Sequence, residues 1–249
     1  MTDHPRKEVA YFDKKSTEYR AEYDRETPEG YSFRIRREKV LALVPEGASV
    51  LDIASGPGVM VKGLRAKHCN VTLLDAAPAM IARAKEEFPD VRAVVGDAYK
   101  LLFSDGEFDV ALAMGLIEYL EHEDAFLNEA KRILKPGGSL IITFPNYWSP
   151  WRVFNRLALA LLSLFGHRSD KNNVTHREYS LVQARALLAE HGFKPDYVVY
   201  YNFKLVPYPF DVWLPRLTVF QSHLFEFLDK TPLQFIGTGF IVKVTNESV

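Results

Sequence analysis

Three aspartates and two glycines carry the chemistry that can be read in this 249-residue sequence. Asp52 lies inside the apolar run Val50-Leu51-Asp52-Ile53, which passes at once into Ala54-Ser55-Gly56-Pro57-Gly58. Asp75 closes Val71-Thr72-Leu73-Leu74, 17 residues after Gly58, and Asp97 follows Val94-Val95-Gly96. Glycines at a strand end let a ligand approach the main chain, and the next helix N-terminus offers free N–H groups. An acidic residue about 20 residues further on can accept from both hydroxyls of a ribose. At the third tip, the Asp97 carboxylate can accept from an exocyclic amine while the Ala98 N–H donates to a ring nitrogen. Three carboxylates at three successive strand ends suit a cationic ligand better than a pyrophosphate.

The elements that must position these residues follow an alternating pattern. Short runs rich in β-branched residues occupy 49–53, 71–74, 91–95, 108–113 and 139–144, with helix-like segments at 59–67, 78–87 and 122–134. Strands alternating with helices argue for βαβ units and a doubly wound parallel sheet. The strands are apolar at almost every position, as strands covered on both faces should be. "LKPGG" (134–138) reads as a helix stop, Ser180 as the N-cap of a helix over 180–193, "YVVYYNF" as a sixth strand, and 239–246 as the last. No linker or repeat divides the chain. The reading is one domain over 1–249: a helical cap at 1–45, a ligand-binding core at 46–145, and aromatic insertions at 146–178 and 206–236.

Composition sets limits. With 47% hydrophobic residues the chain can bury a large core. A formal net charge of −1 supplies no general attraction to nucleic acid. The single cysteine cannot form an intrachain disulfide, so a reducing, cytoplasmic location is expected. No CxxC pair or HExxH is present, so no metal site is expected from spacing. The first twenty residues are polar and do not read as a secretion signal. The longest apolar run, "LALALLSLF" (157–165), is far short of the ~20 residues that span a bilayer.

Taken together, VLDIASGPG, LLDAAPAM, VVGDA, FDVALAMGLIEYL and LKPGGSLIITFPN resemble the class I S-adenosylmethionine-dependent methyltransferases. The pattern is similar to the small-molecule enzymes of ubiquinone/menaquinone biosynthesis. The resemblance is strong over 45–145 and weaker over 10–24, where "YFDKKSTEYRAEYD" echoes the family's entrance helix, and over 176–193. It implies an α/β, Rossmann-like sheet of seven strands, mostly parallel with an antiparallel last strand, and S-adenosylmethionine as cofactor, S-adenosylhomocysteine being the product. Carried over by position, Gly56 and Gly58 face the methionine part with Asp52 nearby. Asp75 takes the ribose, Ala76 and Met80 flank the adenine, Asp97 and Ala98 meet its edge, Ala113 and Met114 lie along the cofactor, and Tyr19 covers the methionine end. Two positions depart from the family. Ala54 stands where Gly is usual and is tolerable with a negative φ, and Glu118-Tyr119 replaces the frequent Glu-His after the fourth strand.

The resemblance implies methyl transfer by in-line displacement to a small acceptor. The sequence fixes no base, and Tyr119, His176 and Tyr11 are the candidates. Aromatic residues crowd after the fifth and sixth strands, in regions that would stand over the cofactor. They suggest a hydrophobic or aromatic acceptor, lipid-linked in the sharper form. The segment 148–168 pairs an apolar face with Arg152, Arg156, His167 and Arg168 at its margins, so it suggests a lid helix or a peripheral membrane contact. Three rival readings remain to be weighed. A dinucleotide oxidoreductase needs a third glycine where the chain has Val61. A nucleic-acid methyltransferase lacks its Asn/Asp-Pro-Pro-Tyr/Phe motif and a basic surface. A non-catalytic relative that binds the cofactor or a protein partner stays open. The oligomeric state is not legible.

Overall fold

The computed structural model describes residues 6–164 and 176–247. Among these, strands β1 (Ser49–Ile53), β2 (Asn70–Asp75), β3 (Arg92–Val95), β4 (Phe108–Ala113), β5 (Leu134–Pro145), β6 (Phe193–Tyr201) and β7 (Gly239–Asn246) form one sheet. Their order is β3-β2-β1-β4-β5-β7-β6. Strands β1 to β5 pair in parallel, and β7 runs antiparallel to both β5 and β6. The helices are α1 (Lys7–Asp24), α2 (Pro28–Leu43), α3 (Val61–Ala66), α4 (Pro78–Glu87), α5 (Glu123–Ile133), α6 (Pro150–Leu164), α7 (Leu181–Glu190), α8 (Phe210–Trp213) and α9 (Pro215–Leu224).

Alternation along the strands divides the core into two layers. Leu51, Ile53, Ala111 and Ala113 face α5 and α7, where Phe126, Leu127, Ala184 and Leu188 are buried. Val50, Val110 and Leu112 face the other way, against Val40 of α2, Leu64 of α3 and Ile81 and Ala84 of α4. Each large apolar side chain fully buried there contributes ~1.5–3 kcal/mol. Because both faces are covered, the strands read as continuous apolar runs rather than as alternating ones.

One boundary differs from the sequence reading. The chain enters β5 already at Leu134, opposite Phe108, and the register then shifts between Phe108 and Val110. Gly137 takes a positive φ of 75° inside this irregularity, so "LKPGG" bends a strand as well as stopping a helix. Ser180 does cap α7: its hydroxyl accepts from the Gln183 N–H, and the Gln183 side chain returns to the Ser180 N–H.

The outer elements are tied down by specific pairs. Asp13 of α1 accepts from the Ala79 N–H in the first turn of α4 (2.8 Å), and Arg20 pairs with Glu87. The 206–236 segment docks on α2, with Lys39 holding Glu226 (3.2 Å) and Asp229, and Tyr31 donating to Glu226 (3.3 Å). On α6, Arg152 and Arg156 both grip Glu178.

Candidate functional site

The reversal of strand order falls between β1 and β4, and ligands of open α/β sheets bind at such a point. A cavity lies there, walled by the ends of β1, β2 and β4 and roofed by α1.

The turn after β1 is built for close approach. Gly56 has φ 54°, and a Cβ there would sit 3.5 Å from the Tyr19 ring and 3.9 Å from the Met80 sulfur, inside the cavity. Ala54 has φ 58°, so the negative φ that would make alanine tolerable there is not met. A left-handed alanine costs ~1–2 kcal/mol. Two bonds hold the turn in place: Ser55 N–H to Leu74 O (3.0 Å) and Gly56 N–H to Asp75 Oδ2 (2.8 Å). Asp75 Oδ1 accepts from the Ala77 N–H at 2.8 Å. Burial pushes its carboxyl pKa up, against the N–H groups of Ala77, Gly56 and Ala76. Each oxygen keeps a second acceptor position, so both hydroxyls of a ribose can still be bound.

Of the residues expected to bind the cofactor, Tyr19, Ala54, Gly56, Asp75, Ala76, Met80, Ala98 and Met114 line this cavity. Asp52, Gly58, Asp97 and Ala113 do not. Ala113 is fully buried in the α5–α7 layer. A Cβ on Gly58 would lie 3.2 Å from the side chains of Leu73 and Val61, so this glycine lets α3 pack on β2. Asp52 is 1% exposed and its Oδ2 has no hydrogen-bond partner among the described residues. Burial and the nearby Asp75 charge push its pKa up to about 8. Asp97 holds Arg6 (2.9 Å) and accepts from the Tyr99 N–H (3.0 Å), and the Arg6 guanidinium lies 4.6 Å over the Tyr99 ring. The start of α1 is thus strapped across the third strand tip. Sequence reasoning missed Arg6, Phe12 and Tyr99 as lining residues; only Phe12 had a signal, in the entrance-helix pattern.

A second cavity adjoins the first, and Phe12, Tyr19, Gly115 and Tyr119 line both. The three candidate bases, Tyr11, Tyr119 and His176, are all here. Tyr119 meets Phe12 edge-on at 5.3 Å and His176 at 5.5 Å. His176 Nε2 is 4.0 Å from Glu118 Oε1. Burial pushes the pKa of Glu118 up, opposed by its own N–H and by Arg36 and Arg152. It also raises Tyr119.

Among the described residues, the aromatic side chains of 146–178 and 206–236 do not roof either cavity as expected. Trp148, Phe154, Phe210 and Trp213 are solvent-exposed and outside both linings, and no residue of 206–236 reaches them. Docking on α2 carries that segment outward. The insertion at 146–178 contributes Arg152 and His176, so the second chamber is more polar than the sequence suggested. No group of His, Cys, Asp and Glu among the described residues could hold a metal ion.

The family described as "Methyltransferase domain" matches residues 51–142. A demethylmenaquinone methyltransferase of Renibacterium salmoninarum is 32% identical over 180 residues, covering 66% of this chain and 75% of that protein. The ubiquinone/menaquinone biosynthesis C-methyltransferase of Laribacter hongkongensis is 35% identical over 133 residues, or 49% and 54% of the two chains. With several such relatives the match spans about half their length. Among solved structures, an S-adenosylmethionine-dependent methyltransferase of Thermotoga maritima superposes with a TM-score of 0.66 at 19% identity, covering 94% of this chain and 98% of the other. One from Mesorhizobium loti gives 0.59 at 18% identity, covering 84% and 96%. These two share the fold.

Proposed function

Because the chain belongs to the class I S-adenosylmethionine-dependent methyltransferases, in the group similar to ubiquinone/menaquinone-biosynthesis enzymes, we propose that it methylates a small aromatic acceptor held in the second chamber. Its cofactor is S-adenosylmethionine, and the first cavity fits it: a bare main chain at Gly56, a carboxylate with free acceptor positions at Asp75, and apolar flanks at Met80 and Ala98. When bound there, the cofactor supplies a methyl group already activated on a sulfonium.

The chain's own residues then have little covalent work to do. Tyr19, Phe12 and Tyr119 form the partition between the cavities and keep water from the line of transfer. Holding donor and acceptor on that line can remove ~7–11 kcal/mol of the barrier. The observation that carries the reading is this adjacency: two chambers meeting at one aromatic partition. Rings of Tyr11, Phe33 and Tyr201 on the far wall support an aromatic acceptor. Exposed apolar residues on α6, α8 and α9 support a lipid-linked one drawn from a membrane surface. No described helix is long and apolar enough to cross a membrane.

The test has two stages. Calorimetry with S-adenosylhomocysteine is expected to show binding that Asp75→Ala weakens by ~1–3 kcal/mol, the scale for leaving polar groups unpaired. A labelled methyl donor mixed with a metabolite extract is then expected to label small aromatic acceptors. Binding with no label in any acceptor would make the chain a non-catalytic cofactor-binding protein. Labelling of small polar acceptors alone would remove the aromatic reading.

A further inference from the structure

We propose that α6, α8 and α9 form a docking face for an anionic lipid bilayer, on which the protein lies without crossing it. This goes beyond the methyl-transfer reading and stands whatever the acceptor is. Every residue of the face falls outside 51–142, the stretch that matches the methyltransferase family.

An inversion carries the proposal. A helix on the surface of a water-soluble protein turns its apolar stripe to the core and its polar side to solvent. The elements of 146–164 and 205–236 do the reverse. On α9, Thr218 and Ser222 are buried. Gln221 is also spent inward, accepting from the Leu205 N–H (2.8 Å) and donating to the Phe203 carbonyl (2.7 Å). Leu217, Phe220 and Leu224, spaced by three and four, form an apolar stripe in solvent. On α8, Asp211 is buried against Lys204 (2.7 Å), while Phe210, Val212 and Trp213 are exposed. On α6, Arg152 and Arg156 are held by Glu178, while Phe154, Leu157 and Leu161 are exposed. In the 3₁₀ turn Glu226–Lys230, Glu226 and Asp229 go to Lys39 and Phe227 stays outside.

The pieces adjoin. The Tyr208 N–H donates to Asn155 of α6 (3.2 Å), and the Lys204 ammonium that holds Asp211 of α8 lies 4.1 Å over the ring of Trp151 of α6. Chain continuity then joins α8 to α9. Except for Val95, Leu102, Val182 and Tyr197, all large apolar side chains exposed among the described residues belong to these two segments. That is a concentrated patch and not the single scattered residues of an ordinary surface.

Charge identifies the occupant. The carboxylates of the two segments are Asp211, Glu226 and Asp229, and each is paired inward with a lysine. Arg216 and Lys230 are exposed and have no carboxylate partner among the described residues. The face therefore offers apolar side chains and unpaired cations, with no unpaired anion. An anionic bilayer surface complements it: rings and leucines enter the acyl boundary while the cations stay with the headgroups. A second copy docked face to face about a two-fold axis would bring a face of the same charge against it.

The test uses the protein's own tryptophans, since Trp148 and Trp213 are exposed on this side. Vesicles of chain-brominated phosphatidylcholine are expected to quench their emission. Adding phosphatidylglycerol should tighten binding at least ~10-fold at low salt, the scale for two basic residues at a charged surface. Replacing Leu217, Phe220 and Leu224 together by serine should weaken binding at least ~100-fold, the scale for three large apolar side chains kept out of lipid. Thermal unfolding and S-adenosylhomocysteine affinity should not change, because these side chains line neither cavity. Arg216→Glu with Lys230→Glu is the milder variant, expected to lose the preference for phosphatidylglycerol and keep the fold. No quenching by either vesicle, equal quenching in the serine variant, or equal binding to both lipid compositions would overturn the proposal. So would a dimer in sedimentation that the serine variant disperses, which would assign the face to a second copy. Failure to bind S-adenosylhomocysteine would bring down the methyl-transfer reading and leave the face standing.

Discussion

Asp52 and Asp75 are neighbours on adjacent strands with opposite fates, and each sets a different prediction. Asp75 spends its carboxylate on the turn that shapes the cavity, so Asp75→Ala removes both a ligand contact and a support for Gly56. Asp52 is sealed in, its folded pKa raised to about 8 against an ordinary carboxylate value near ~4. The neutral form is the one the fold favours. Asp52 therefore adds nothing unfavourable below about pH 4, and stability drains away as pH rises through about 8, by up to ~1.4 kcal/mol per pH unit. Asp52→Asn keeps the shape and cannot ionise. Its unfolding free energy in urea should match the parent's below pH ~4, exceed it by a growing margin between ~4 and about 8, and keep a constant margin above that. A difference that stays constant across that whole range would mean that the Asp52 charge is compensated. Asp75 was legible in sequence because it belongs to a short strand-end motif, whereas the sealing of Asp52 away from the cavity was not. That Asp97 holds Arg6 was not legible, since Arg6 lies 91 positions away and carries no pattern of its own.

At the scale of elements, the parallel strands and their helices could be read because local periodicity and tertiary burial agree there. The second chamber could not. Its wall is assembled from α1, α2, the turn after β4, α6, His176 and β6, and no two of these pieces share a motif. The aromatic insertions misled for a related reason: composition says that a segment is apolar, not which way it docks. The Lys39 pair with Glu226 and Asp229 turns 206–236 away from the cavity. Two expected outcomes follow from element packing. Arg6→Ala unties the start of α1 from Asp97, so S-adenosylhomocysteine should associate faster in stopped-flow. Its affinity should change by no more than ~1 kcal/mol, since the pair is partly exposed. Gly115, at φ 65°, sits where a Cβ would come within 2.9 Å of Arg36 Nη1. Gly115→Ala should therefore displace Arg36 and, since Gly115 lines both cavities, weaken S-adenosylhomocysteine binding by several-fold in calorimetry.

Across the whole molecule, the cofactor end and the outer surface answer to different physics. The sheet order places both chambers at the strand reversal, under α1, while exposed apolar side chains gather on and around α6, α8 and α9. That side is unusually apolar for a surface: Trp148 is 63% exposed, Trp213 68% and Phe220 65%, with Leu157 and Leu217 also in solvent. Basic groups lie along it. The Arg156 guanidinium stacks 4.1 Å over Tyr147, and Arg216 follows Pro215 at the start of α9. Exposed aromatic rings with a basic residue such as Arg216 among them can rest at a lipid–water boundary, whereas Arg156 is held by Glu178 and adds no free charge. A lipid-linked acceptor would be met at the same boundary. Co-sedimentation with vesicles containing anionic lipid should therefore recover the protein at low salt and lose part of it at high salt. Trp148→Ala with Trp213→Ala should abolish recovery while S-adenosylhomocysteine binding persists, since neither tryptophan lines a cavity. Vesicle-independent dimerisation through the same residues, seen by light scattering, would assign the face to a second copy of the chain instead.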